Sequence, residues 1–121
     1  METVYLETTV ISLLVGDVSR DLVTAANQQA TRDWWDTARD KYELLASELV
    51  IQEASAGDPE AARKRLEILK TLTLLETTED ALALARDLVT SGAVPPQAAE
   101  DALHIAIAVT NGIDYLATWN L

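Results

Sequence analysis

The 121-residue sequence contains no cysteine. Disulfides, thiol catalysis and cysteine-ligated zinc or iron–sulfur sites are therefore excluded. The single histidine, His104, likewise excludes a site built on several imidazoles. Positive charge is scarce, with nine Lys and Arg against twenty Asp and Glu, for a formal charge of −11. No apolar run approaches the roughly 18 residues that cross a bilayer. The opening METVYLETTVISLLVGD has no basic leader and carries glutamates at positions 2 and 7, so it does not read as a signal peptide. A cytoplasmic protein with no membrane partner is the expectation. Whatever chemistry the chain performs falls to carboxylates, hydroxyls and backbone.

What is present suits a folded domain. Hydrophobic residues at 49% and charged residues at 24% rule out wholesale disorder, and the length fits one domain, residues 1–121, with one core. The acid excess has two readings. One is a solvated surface that never meets a polyanion, since nucleic-acid binders normally carry a basic footprint. The other is a set of carboxylates converging on a metal site, where bound cations reverse the local sign. Composition does not choose between them, but position does.

Val4-Tyr5-Leu6 reads as a first strand, and Val10 to Val15 as a short helix ended near Gly16. From Arg20 to Asp40 apolar residues recur at offsets of three and four, the period of an amphipathic helix. Tyr42 to Ala46 reads as a second strand, after which Ser47 is placed to cap a helix running to Ala56 and stopped at Gly57. Asp58-Pro59 opens another, to about Lys70. Leu72 to Leu75 is a third strand, Thr78 to Val89 a helix, and Pro95-Pro96 opens a last helix to about Asn111. Tyr115 to Thr118 is a fourth strand. Strands separated by helices imply an α/β domain with a mostly parallel sheet of four to five strands and right-handed crossovers. Such a domain is expected to continue past its fourth strand, so a C-terminal strand or helix is expected beyond these residues.

Ligands of open α/β sheets gather beyond the carboxyl ends of the strands. Glu7 follows the first strand and Asn120 follows the fourth. Glu53 shares a helix face with Leu49 and Val50. Asp101 shares one with Ala98, Ile105 and Ala108, in a helix apolar nearly all round from Ala102 to Val109 apart from His104, which marks it as buried. An unpaired acid on a buried face costs several kcal/mol, so such acids are paired or metal-bound. Plainer readings also exist: Glu7 as a helix cap, Glu53 at the wet edge of its stripe, and Asp101 as a first-turn acid favoured by the helix dipole.

Four segments occur in one order: Tyr5-Leu6-Glu7-Thr8-Thr9-Val10-Ile11, Glu48-Leu49-Val50-Ile51-Gln52-Glu53, Asp101-Ala102-Leu103-His104-Ile105-Ala106 and Tyr115-Leu116-Ala117-Thr118-Trp119-Asn120. In this order the sequence resembles PIN-domain proteins, in particular the VapC-type toxin branch, over nearly its whole length. The resemblance implies a three-layer α/β/α fold with an acidic pocket for Mg²⁺ or Mn²⁺. It also implies endoribonuclease activity on single-stranded RNA, a homodimer, and inhibition by a cognate antitoxin. Glu7 falls on the first acidic position, usually Asp, Glu53 on the second and Asp101 on the third, so these three are the expected catalytic residues and metal ligands. Asn120 falls where a fourth acid is common and is expected to complete the metal set one negative charge short. Asp114 lies a strand's length upstream. Thr9 matches a hydroxyl or amide position tied to the metal pocket, and Thr9, His104 and Thr118 are expected to touch substrate or support the ligands.

Other residues carry paired readings. His104 is either a core histidine bonded internally, or a contact to substrate phosphate or support for Asp101. Trp34 and Trp35 point to different faces of their helix, one toward the core and one toward a dimer or antitoxin groove. Arg63, Lys64 and Arg65 are a solvated face or an RNA track. Glu7 and Asn120 also motivate a rival reading, a catalytically weak or inactive PIN domain that binds RNA or protein. A Mg²⁺-using phosphatase or receiver domain ranks third, because it needs clustered acids just after the first strand and only Glu7 stands there.

Overall fold

The computed structural model describes residues 1–120. The elements run β1 (Thr3–Leu6), α1 (Thr8–Val15), α2 (Leu22–Lys41), β2 (Glu43–Ser47), α3 (Glu48–Ala54), α4 (Pro59–Leu69), β3 (Thr73–Leu75), α5 (Glu79–Thr90), α6 (Ala99–Thr110) and β4 (Tyr115–Ala117). Local chemistry sets the boundaries. The carboxylate of Asp21 accepts from Thr24 N, so α2 starts at Leu22 rather than Arg20. Glu7 caps α1 in the same way, so that helix starts at Thr8 rather than Val10. Ser47 caps α3 through Val50 N, and Asp58 caps α4 through Ala61 N, as their positions predict. The turn between α3 and α4 is closed by Gly57 at φ +85°, a conformation open to glycine without steric cost. Pro95-Pro96 opens not the last helix itself but a 3₁₀ turn, Pro96–Ala98, which leads into α6.

The described strands form one sheet in the order β3-β2-β1-β4, every neighbouring pair parallel. Tyr5 lies opposite Leu45 on one side and Leu116 on the other. As the central strand, β1 is covered on both faces: Val4, Tyr5 and Leu6 are all buried, which is why it reads as a continuous apolar run. Helices α1, α2, α3 and α4 pack among themselves, and α5 packs on α6. From β1 to β3 the chain steps in one direction, then jumps back past β2 and β1 to β4. Right-handed crossovers therefore put α1 to α4 on one face and α5 and α6 on the other, the three layers expected. Ile11, Val50, Leu69 and Ile107 fill the space between sheet and helices and are fully buried, each worth about 1.5–3 kcal/mol of hydrophobic stabilisation. The reversal in strand order opens a crevice at the carboxyl ends of β1 and β4.

Candidate metal centre

Glu7 is the residue on which β1 ends and α1 begins. Its backbone N–H donates to Ala117 O at 3.1 Å, the last bond between β1 and β4. Strand β4 stops there, and Thr118, expected to be its last residue, turns to aim its hydroxyl at Glu7. Glu7 Oε1 accepts from Thr9 N at 3.1 Å, from Thr118 Oγ1 at 2.8 Å and from the Thr9 hydroxyl. The plain capping role and the site role thus fall on one side chain, which is only 6% exposed.

Glu53 arrives from α3. Its Oε1 accepts from the Thr8 hydroxyl and is 2.7 Å from His104 Nε2. Burial pushes the Glu53 carboxyl up, but the hydrogen bonds from Thr8 and Glu100 and the imidazole of His104 outweigh it, and the group is held below its ordinary value. Glu100, at the start of α6, shifts the opposite way. Its hydrogen bond to Glu53, together with the Glu53 charge, pushes it up. Ligand-capable atoms of Glu7, Glu53 and His104 lie within 4.8 Å of one another. A cleft of about 540 Å³ opens over them, lined by Glu7, Thr8, Thr9, Gln52, Glu53 and Glu100 among others.

Of the residues singled out by sequence, Glu7, Glu53, Thr9, His104 and Thr118 are drawn into one network. Asp101 is outside the three-residue cluster. It sits in the first turn of α6, and its two oxygens accept from Asn120 Nδ2 at 2.8 and 2.9 Å. Asn120 N donates in turn to Thr118 Oγ1 at 2.9 Å, which links this pair to Glu7. His104 is 1% exposed and bonds Glu53 rather than Asp101, with Nδ1 engaged by Tyr5 Oη at 2.6 Å. Both ring nitrogens thus have partners within the chain, the arrangement of an internally bonded core histidine. Asp114 is at the opposite end of β4, where it accepts from Thr3 N at 2.8 Å.

Sequence reasoning missed Thr8, Glu100, Tyr5 and Ser47. For Glu100 a signal existed: it precedes His104 by four residues, so the two share a face of α6. The structure also places the other residues given paired readings. Trp35 is core, with the Arg39 guanidinium 5.7 Å from its ring centre. Trp34 is half-buried and lines a groove of about 290 Å³ with Thr31, Leu116 and Trp119. Arg63 pairs with Glu60, Lys64 with Asp17, and Arg65 donates to the carbonyls of Ala54 and Ala56. Each of these bases has a partner within its own chain.

A parallel sheet of this order, flanked by helices on both faces with acids meeting at the ends of β1 and α3, defines a three-layer α/β domain of PIN-like fold. The sequence matches no protein-family profile and no curated protein. The fold is shared with solved structures. One is VapC20 of Mycobacterium tuberculosis, a Sarcin-Ricin loop cleaving toxin, with a TM-score of 0.73 and 17% identity, covering 97% of this chain and 89% of that one. Another is VapBC2 from Rickettsia felis, bound to a DNA fragment from their promoter, with a TM-score of 0.66 and 13% identity, covering 95% and 86%.

Proposed function

We propose that the protein is a metal-dependent endoribonuclease that hydrolyses phosphodiester bonds of single-stranded RNA, acting as the toxin of a toxin–antitoxin pair. The observation that carries this reading is the meeting of Glu7 and Glu53 over an open cleft, each with one oxygen pinned from within. Hydroxyl and amide donors hold Oε1 of Glu7, and a hydroxyl and the His104 imidazole hold Oε1 of Glu53, while no hydroxyl, amide or imidazole holds the second oxygen of either acid. Two carboxylates this close repel unless a cation or proton stands between them. The free donors are all oxygen, the set that Mg²⁺ and Mn²⁺ prefer, so the residues fit such an ion. When bound, the ion supplies Lewis-acid polarisation of a phosphate oxygen and a more acidic water.

In this reading Glu7 and Glu53 hold the ion directly. Asp101 and Asn120 extend the acidic surface toward the substrate, with Asp101 the third catalytic acid. Thr9 and Thr118 fix Glu7, and Thr8 fixes Glu53. Expected partners are RNA, an antitoxin protein and a second copy of the chain, with the Trp34 groove as the surface for one of these protein contacts. The shared fold with a Sarcin-Ricin loop cleaving toxin supports the RNA assignment.

One observation favours a second reading. The Asn120 amide occupies both oxygens of Asp101, so the chain presents one acid fewer than a four-carboxylate site. A weak or inactive domain that binds RNA or protein follows from that. The deciding experiment is cleavage of labelled single-stranded RNA with Mn²⁺ and with EDTA, by wild type, Glu53→Gln and Asp101→Asn. Cleavage that needs Mn²⁺ and is lost in both variants supports the enzyme. Metal-dependent RNA binding without cleavage in wild type supports the second reading, and full activity in either variant defeats the mechanism.

A further inference from the structure

A chain of buried hydrogen bonds runs from the backbone to Glu53. Val50 N is 3.2 Å from Ser47 Oγ, Ser47 Oγ is 2.8 Å from Tyr5 Oη, Tyr5 Oη is 2.6 Å from His104 Nδ1, and His104 Nε2 is 2.7 Å from Glu53 Oε1. Tyr5 and Ser47 are fully buried, and His104 nearly so. No buried side-chain polar atom among the described residues lacks a partner.

Proton counting gives this chain one direction. An amide N–H can only donate, so Ser47 Oγ accepts from Val50. The Ser47 hydrogen then has one neighbour to go to, Tyr5 Oη. That leaves the Tyr5 hydrogen for His104 Nδ1, which must be bare. The ring proton is on Nε2 and points at Glu53, whose carboxylate can only accept.

We infer that Tyr5 and His104 are positioning residues of the Glu7–Glu53 site, holding Glu53 Oε1 inward so that only its second oxygen meets a ligand. This rests on the metal reading above but makes a separate claim about His104. The same strand carries Tyr5 and, two residues on, Glu7, so β1 sets both acids in one frame. Ser47 joins that frame to the cap of α3, the helix that bears Glu53. Partners that orient a ligand in this way typically change metal affinity when removed.

The sole histidine makes the test direct. In metal-free protein labelled with ¹⁵N-histidine, nitrogen chemical shifts should show Nε2 protonated and Nδ1 bare. Tyr5→Phe removes one hydroxyl and should abolish that fixed assignment. Mn²⁺ binding, read by electron paramagnetic resonance on variants verified as folded by circular dichroism, should weaken roughly tenfold or more in Tyr5→Phe and His104→Leu. His104→Gln, whose amide nitrogen takes the place of Nε2, should recover most of the affinity. A wild-type ring protonated on Nδ1 overturns the relay. So does Mn²⁺ affinity within about twofold of wild type in the folded Tyr5→Phe and His104→Leu proteins, well under the usual effect, or a His104→Gln no better than His104→Leu. Wild type that binds no Mn²⁺ defeats the metal reading instead, and the positioning claim with it, while the tautomer still decides whether the relay exists.

Discussion

Asn120 donates its side-chain amide to both oxygens of Asp101, at 2.8 and 2.9 Å. Replacing the amide by a carboxylate sets two acceptors against each other. Asn120→Asp should therefore unfold a few degrees earlier than wild type in EDTA, for a loss of about 1 kcal/mol at this exposed pair. Millimolar Mn²⁺ should close that gap, and RNA cleavage should hold or rise. Thermal melts with and without the ion decide it: a deficit that Mn²⁺ leaves untouched removes Asp101 and Asn120 from the metal surface.

Wild type itself should respond to the ion. Only the folded chain brings Glu7 and Glu53 together, so Mn²⁺ at about a hundred times its dissociation constant adds about 2.7 kcal/mol. Glu53→Gln should lose most of that increment. Equal rises in the melting temperature of both proteins would place the ion elsewhere.

Asp114 provides a pH test far from the site. Its carboxyl is held below its ordinary value by hydrogen bonds from the backbone and then the side chain of Thr3. A lowered folded value stabilises above the unfolded one, about 3.9, and that stabilisation is lost as pH falls through the folded value. Asp114→Asn should be less resistant to urea than wild type at pH 7, with the two curves converging below about pH 3. A difference that persists unchanged into acid would mean the carboxylate charge is not what ties β4 to β1.

The two tryptophans should separate cleanly. Trp35→Ala opens a cavity in the core and should cost about 3–5 kcal/mol, enough to leave the chain poorly folded. Trp34→Ala should fold normally but self-associate or bind the antitoxin less tightly. Light scattering and circular dichroism measure both. Normal association in Trp34→Ala removes its groove from the proposed partner surface.

The layers and most element boundaries were legible because period and caps are local signals. Ser47 and Asp58 announce their helices from sequence alone, and the buried run at Tyr5 marks the central strand. Glu7 and Glu53 were legible for a related reason, an acid standing where a strand ends or a face should be apolar. Glu100 was obscured by its neighbour, since Asp101 looked like the acid of that helix and only the fold brings the start of α6 to the end of α3, where Glu100 meets Glu53. Tyr5 and Ser47 read as core and cap, which they are. Their link to His104 spans 99 residues for Tyr5, and no local pattern encodes a contact at that separation.

The partners that hold Glu7 and Glu53 are hydroxyls, an amide, an imidazole and the Glu100 carboxyl; among the described residues no lysine or arginine pairs with either acid. A site balanced by a lysine would have to expel it before an ion could enter. Here no cationic side chain has to leave, and the positive charge that completes the field of the two acids comes from solution. On a chain of charge −11, that imposes an order of events on the proposed reaction. On that reading the bare acidic cleft repels RNA, and the cation is expected to arrive first.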